Sequence, residues 1–158
     1  MWREHTYGNQ EAKSHLFENN LAYLNGQNAN KKLVRFHYSN QEDLFDLVSY
    51  NKGGAVLHML RNYLGDAAFF KGLNIYLTTN KYKTAEVHQL RLVFEKLTGK
   101  DLNWFFNQWF FGANHPQIEI SYDYTIIPGK VTVTIIQLQA EKFKFPFSLA
   151  IYDTVIPS

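Results

Sequence analysis

The sequence predicts an α+β protein, with a mainly α-helical region followed by a few antiparallel β-strands. Apolar residues recur at three- and four-residue steps through most of the first 111 residues, the spacing of a helix face that packs on a core. After Gly112 apolar and polar residues alternate, which is the period of a half-buried strand. We therefore expect a helical domain over residues 1–115 and a β region over residues 116–158.

The composition narrows the class of protein. Of the 158 residues 46% are apolar, which is enough for a real core and argues against disorder. A net charge of +2 gives no ground for binding nucleic acid or a membrane surface, and no apolar run approaches the ~20 residues of a membrane span. Cysteine is absent, which excludes disulfides and thiolate metal sites. The chain opens inside a helical pattern without a signal peptide, so we expect a segment of a longer protein of undetermined compartment.

The N-terminal pattern predicts one helix over residues 1–24. Its apolar positions are Leu16, Phe17, Leu21 and Leu24. Asn25-Gly26 ends the pattern, because these residue types tolerate a positive φ. A polar loop follows, and residues 33–38 are predicted as one strand or a pinned loop.

The central helix is the element around which the chain is organised. Ser49 is the expected N-cap, because its hydroxyl can accept a hydrogen bond from a free amide of the first turn. Tyr50 then lies in that turn, with its phenol free to point away from the helix. Gly53 and Gly54 predict that another segment packs close to the backbone. The apolar face continues through Val56, Leu57, Leu60 and Leu64.

Three more helices are predicted before the β region. Gly65 ends the central helix and Asp66 caps the next one; Thr84 and Asp101 are the expected N-caps of the following two. The last helix is aromatic on nearly all sides, which predicts burial rather than a cofactor site. Its aromatic residues are Trp104, Phe105, Phe106, Trp109, Phe110 and Phe111.

Three strands are predicted after Pro116. The first alternates over residues 118–124, the second over 131–135 with a turn at Pro128-Gly129 before it, and the third over 143–151. Pro146 would place the third strand at an edge or a bulge.

A family resemblance starts from the central helix. Tyr50-x-Lys52-Gly53, followed by an apolar helix ending in Leu64-Gly65, resembles a motif of the M1 family of zinc aminopeptidases, which are gluzincins. The resemblance continues to Pro116 and covers most of residues 1–125. It implies that the helical region is the C-terminal lobe of a thermolysin-like catalytic domain, and that the β region starts a truncated β-sandwich.

One position at the junction departs from the family pattern. The family usually has Gly-x-Pro there, whereas this chain has Asn114-His115-Pro116. Asparagine is the non-glycine residue that best tolerates a positive φ. We therefore expect the turn to be kept.

The resemblance implies a function and a site. In the family the tyrosine that matches Tyr50 donates a hydrogen bond to the oxyanion during hydrolysis of a peptide's N-terminal residue, so Tyr50 is the predicted catalytic residue. Zinc in that family needs two histidines four residues apart and a glutamate. No two of the six histidines have this spacing. The resemblance thus implies that zinc is held by the parent enzyme, that this chain alone binds no metal or cofactor, and that it is inactive without the missing part.

Alternatives come from the residues themselves. Without the family, Tyr50 is most simply a packed residue at a helix start, and Lys52 has a structural or solvated role. Glu42, Asp43 and Asp46 form a solvated capping face or, alternatively, a site for a substrate amine. The whole chain could instead be a non-catalytic helical binding or scaffold module of M1-like ancestry. Since three strands cannot close a sandwich, we also predict self-association through residues 117–153, or poor order there.

Overall fold

Six α-helices and two β-strands follow one another along residues 2–124 and 129–149, the part of the chain that the computed structural model describes. The helices are α1 (Trp2–Tyr7), α2 (Asn9–Asn25), α3 (Gly53–Leu64), α4 (Asp66–Thr79), α5 (Val87–Thr98) and α6 (Asn103–Trp109), and the strands are β1 (Ile118–Asp123) and β2 (Thr132–Gln137). The predicted α+β class is confirmed. None of the helices in these residues has the length and apolar character needed to cross a membrane.

The chain divides into two units, one ending at Pro116 and one beginning at Gln117. All the helices lie in the first unit and both strands lie in the second.

The N-terminal helix is broken, so the prediction of one helix over residues 1–24 was wrong. Gly8 adopts φ 87° between α1 and α2, a conformation that glycine reaches without steric cost. α1 has no buried residue and is attached to the other helices through charge. Arg61 of α3 donates to both carboxylate oxygens of Glu4, the Nη2–Oε1 distance being 3.0 Å, and to Asp66 at the start of α4 at 2.7 Å.

The core of the first unit is aromatic, as predicted for the last helix. Its fully buried side chains are Phe69, Phe94, Phe105, Phe106, Leu60, Leu102, Val48 and Val56. Phe69 and Phe94 stack with ring centroids 5.7 Å apart. Gly72 makes this contact possible, because a Cβ at that position would lie 2.4 Å from the Phe94 ring.

Helix α5 begins two residues later than the cap prediction implied. Glu86, not Thr84, is its N-cap, and its side chain and that of Gln89 form a reciprocal capping box. Asp101 accepts from the backbone amide of Asn103 at 2.9 Å at the start of α6, close to its expected role.

The second unit contains one antiparallel pair, in which Ile118 faces Gln137 and Asp123 faces Thr132. The predicted third strand was wrong over its described part, since residues 143–149 form no strand. The amide of Phe143 donates instead to the side-chain oxygen of Gln137 at 2.8 Å, and the Gln137 amide returns a bond to the Phe143 carbonyl at 2.7 Å. These side-chain bonds compete with a strand ladder. Pro128 and residues 150–151 of the predicted turn and strand lie outside the described residues.

Candidate active site

Tyr50 lies in a π-helical turn, Val48–Lys52, that runs directly into α3. Single π turns are rare and occur frequently at functional sites. The Tyr50 side chain is 63% exposed, and its ring meets only that of Phe45 among the described aromatic residues, at 6.3 Å. Tyr50 is therefore not the packed residue that burial statistics alone suggested. The phenol instead projects from the turn.

The start of the turn is fixed by Asp46 rather than by Ser49. Asp46 Oδ1 accepts from the amides of Val48 at 3.1 Å and Ser49 at 2.9 Å. The N-cap prediction for Ser49 was therefore wrong, because a longer acidic side chain three residues earlier already occupies its amide. The Ser49 hydroxyl accepts from Arg35 Nη2 at 2.8 Å instead.

Asp46 is also paired with Arg35. Arg35 Nη1 donates to Asp46 Oδ2 at 2.6 Å, and Lys31 Nζ donates to the same oxygen at 3.2 Å. Burial alone would raise the pKa of the Asp46 carboxyl, but hydrogen bonds from Arg35, the Ser49 amide and Lys31 outweigh it and hold that pKa well below its usual range. Asp46 is thus ionised and engaged on both oxygens.

The other two acidic residues of the sequence motif have simpler roles. Asp43 and Asn40 form a capping box on the short 3₁₀ turn Gln41–Leu44, and Glu42 supplies a backbone amide to Asn40. Both carboxylates are exposed. The expectation of a capping face is confirmed for Asp43 and for Asp46, although Asp46 is largely buried.

The residues after Tyr50 are fixed as well. Asn51 Nδ2 donates to the carbonyl oxygen of Asn19 in α2 at 2.9 Å. Lys52 is only 5% exposed, and its Nζ donates to the carbonyl oxygens of Asn114 at 3.1 Å and Gly112 at 3.5 Å. Burial lowers the pKa of the Lys52 ammonium. The structural role expected for Lys52 is confirmed. Tyr50 is thus an exposed residue between two anchored neighbours.

A groove of about 430 Å³ lies beside Tyr50. It is lined from α1, α2 and the start of α3, and Gly54, Ala55 and His58 form part of its wall. Gly53 does have a close neighbour, Leu33, 3.3 Å from an added Cβ, but nothing lies within 4 Å of an added Cβ at Gly54. The predicted close approach was therefore right at Gly53 and wrong at Gly54, where the backbone faces the groove.

The groove does not fit a metal ion. Within the described residues no three histidine, cysteine or carboxylate side chains are grouped so that they could hold one. Burial, followed by the positive charge of Arg61, lowers the pKa of the His58 imidazole, so that its neutral form is favoured at pH 7. The groove is thus lined by both polar and apolar residues, and the Tyr50 phenol is part of that lining.

The fold of the chain is similar to part of a solved structure. A crystal structure of Legionella pneumophila aminopeptidase A in complex with aspartic acid matches this chain with a TM-score of 0.58 and 17% identity, over 78% of this chain and 15% of that one. The Peptidase family M1 domain matches residues 2–109. The chain belongs to this family, and the resemblance that started from Tyr50 is confirmed.

Similar sequences are named as aminopeptidases. Probable aminopeptidase 2 of Sulfurisphaera tokodaii is 32% identical over 119 residues, which cover 73% of this chain and 14% of that protein. Aminopeptidase 2, mitochondrial, of Saccharomyces cerevisiae is 35% identical over 89 residues, covering 56% of this chain and 9% of that protein. The chain therefore spans about a seventh or less of the length of these relatives.

Sequence reasoning missed two contributors to the site and misassigned a third. It gave the cap of the turn to Ser49, although Asp46, two residues before the turn and already expected in a capping face, was an equally good signal. It named no role for Arg35, which reaches the turn from a distant loop. Nothing in the local pattern indicated a π turn.

Proposed function

We propose that residues 1–115 are the C-terminal lobe of the catalytic domain of an M1 aminopeptidase and that residues 116–158 start its β domain. We propose further that Tyr50 is a catalytic residue that donates a hydrogen bond to the oxyanion formed during peptide hydrolysis. The observation that carries this proposal is the exposed Tyr50 phenol on a turn whose neighbours are anchored, beside an open groove.

The chemistry suits a phenol held in this way. A tyrosine hydroxyl can donate a hydrogen bond, which is what an oxyanion needs from its partner. When water attacks a peptide carbonyl, negative charge develops on the carbonyl oxygen, and a donor already in place stabilises it without reorganisation. One such donor is typically worth about 10²–10³ in turnover. The anchors at Asp46 and Lys52 supply the rigidity that this requires.

The zinc that the family resemblance implies would have to be held by residues outside this chain, since the described residues do not fit it. The proposal is that a longer protein supplies those residues and the rest of the substrate site, and that it removes N-terminal residues from peptides. On this view, the chain by itself contributes Tyr50 and one wall of the cleft.

The aminopeptidase activity is tested on the full-length protein that carries this segment. An aminoacyl p-nitroanilide should be hydrolysed, and its N-acetylated counterpart should not, because an aminopeptidase requires the free amine. A metal chelator should abolish turnover and added zinc should restore it. Absence of turnover on a panel of aminoacyl anilides would favour the alternative, a binding or scaffold module of M1 ancestry.

We also propose that the second unit associates with a second copy of itself. Apolar side chains stay exposed on both strands and around them, at Ile118, Ile120, Tyr122, Tyr124, Val131, Ile135, Ile136, Leu138, Phe147 and Leu149. A two-stranded pair is marginal alone, and its open edges can pair with another chain. In the intact protein the same surface would be covered by further strands.

A further inference from the structure

Lys52 is buried in an unusual way for a lysine. Its side chain is as inaccessible as the neighbouring core, yet no ion pair in the described residues includes it. Its two acceptors are backbone carbonyls, those of Asn114 and Gly112. A buried charge without a counter-ion is costly, and an apolar residue would stabilise the fold at lower cost. The stability of the core therefore does not account for a lysine here.

Residues 112–114, which carry the two acceptor carbonyls, have a well-defined backbone conformation. Gly112 follows α6 so tightly that an added Cβ would lie 2.3 Å from the Gln108 carbonyl oxygen. Asn114 adopts φ 67°, which confirms the expected positive φ at the junction. Its amide donates to the Ala29 carbonyl oxygen at 2.6 Å, which connects this segment to the chain that follows α2. Both carbonyls thus belong to a loop that is itself held in place.

The position of Lys52 in the π turn links its bonds with the Gly112 and Asn114 carbonyls to the backbone of Tyr50. Lys52 is the last residue of the π turn, and the amide of the next residue, Gly53, donates to the carbonyl oxygens of both Tyr50 and Val48. Asp46 fixes the first residues of the same turn. The backbone of Tyr50 is therefore held between an acidic anchor before it and a basic anchor after it.

We propose that Lys52 is a positioning residue for Tyr50: by binding the carbonyls of Gly112 and Asn114 it sets the direction in which the Tyr50 hydroxyl points. This inference rests on the proposed function, because the direction matters only if the hydroxyl meets a substrate. Misplacing a catalytic group by about 1 Å can cost about 10²-fold in rate.

The test compares Lys52→Met with Lys71→Met in the full-length aminopeptidase. Methionine keeps most of the length of the lysine side chain and removes its donors, and Lys71 is an exposed residue of α4. We expect Lys52→Met to lower kcat by about 10²-fold with KM, metal content and melting temperature close to wild type. Lys71→Met should change none of them. Lys52→Gln keeps an N–H donor and should retain more activity than Lys52→Met; it serves in its place if the methionine variant does not fold.

A double-mutant cycle separates positioning from general support of the fold. If Lys52 acts through the Tyr50 hydroxyl, Lys52→Met should have little further effect on kcat in a Tyr50→Phe background. An equal loss in both backgrounds, or no loss in either, would overturn the positioning role. A Tyr50→Phe variant with wild-type turnover would instead refute the proposed function, so the two failures are distinguishable.

Hydrogen exchange on this 158-residue chain gives a readout without activity. Lys52→Met should speed exchange at the amides of residues 50–53 relative to wild type and to Lys71→Met, because the end of the turn loses its anchor. Unchanged protection at these amides would show that Lys52 does not hold the turn and would overturn the inference.

Discussion

Asp46 is the residue whose loss should destabilise the site most. Replacing Asp46 by alanine removes the acceptor for two amides of the turn and the counter-ion of Arg35, whose side chain is only 14% exposed. Breaking a buried ion pair costs about 3–5 kcal/mol, and losing an N-cap costs about 1 kcal/mol. Because both groups keep some solvent contact, we expect the lower end, about 3 kcal/mol in the free energy of unfolding.

Asp46→Asn separates the cap from the charge. Asparagine keeps a side-chain oxygen for the amides of Val48 and Ser49 but removes the negative charge that faces Arg35. We expect a smaller loss of about 2 kcal/mol, the range of a hydrogen bond to a charged group. Asp43→Ala is the matched control, because Asp43 is an exposed capping residue nearby and should cost at most about 1 kcal/mol.

Urea unfolding of this chain at pH 7, followed by far-UV circular dichroism, measures these differences. With a slope of about 1–3 kcal/mol per molar urea, Asp46→Ala should lower the midpoint by at least about 1 M. The pH dependence gives a second check. The Asp46 pKa is depressed in the folded chain, so its stabilisation is present above the ordinary value of 3.8 and is lost as the pH falls below it.

The advantage of wild type over Asp46→Asn should therefore shrink as the pH is lowered below about 4. An Asp46→Ala loss no larger than that of Asp43→Ala, or a wild-type advantage that grows in acid, would refute the assignment of Asp46 as the anchor of the Tyr50 turn.

Two further predictions concern the chain as a whole. The isolated 158-residue chain should neither bind zinc tightly nor hydrolyse aminoacyl anilides, because it has no histidine pair at metal-binding spacing; stoichiometric zinc by elemental analysis, with chelator-sensitive turnover, would contradict this. The chain should also self-associate through residues 117–153. Ile120→Lys in β1 should shift it toward monomer in analytical ultracentrifugation, because a charged side chain on an exposed strand disfavours pairing with another chain. A wild-type monomer at high micromolar concentration would exclude that surface as a contact between copies.

Helix positions could be predicted well where apolar spacing and glycine agree. The face of α3 and the stop at Gly65 are both set by short-range rules, since Gly65 adopts φ 84° where the helix ends. The aromatic pattern of α6 likewise predicted burial from the local sequence, because a helix that is apolar on all sides has no polar face to turn toward solvent.

Features that depend on distant residues could not be predicted in this way. Arg35 and Asp46 are 11 residues apart in sequence, and Lys52 binds carbonyls 60 and 62 residues away, so no local pattern shows either contact. The break at Gly8 and the lack of a strand over residues 143–149 show the converse error, because a more continuous structure was predicted than the chain has. The φ of 87° at Gly8 separates α1 from α2, and the side chain of Gln137 bonds the backbone of Phe143.

The most direct test of the central claim is the turnover of Tyr50→Phe in the full-length protein that carries this segment. This substitution removes one oxygen from a side chain that is mostly exposed, so folding stability should change by no more than about 1 kcal/mol. An oxyanion donor matters more in the transition state than in the ground state. We therefore expect kcat on an aminoacyl p-nitroanilide to fall by about 10²–10³-fold, with KM and zinc content nearly unchanged. Turnover equal to wild type would contradict the assignment of Tyr50 as the catalytic residue.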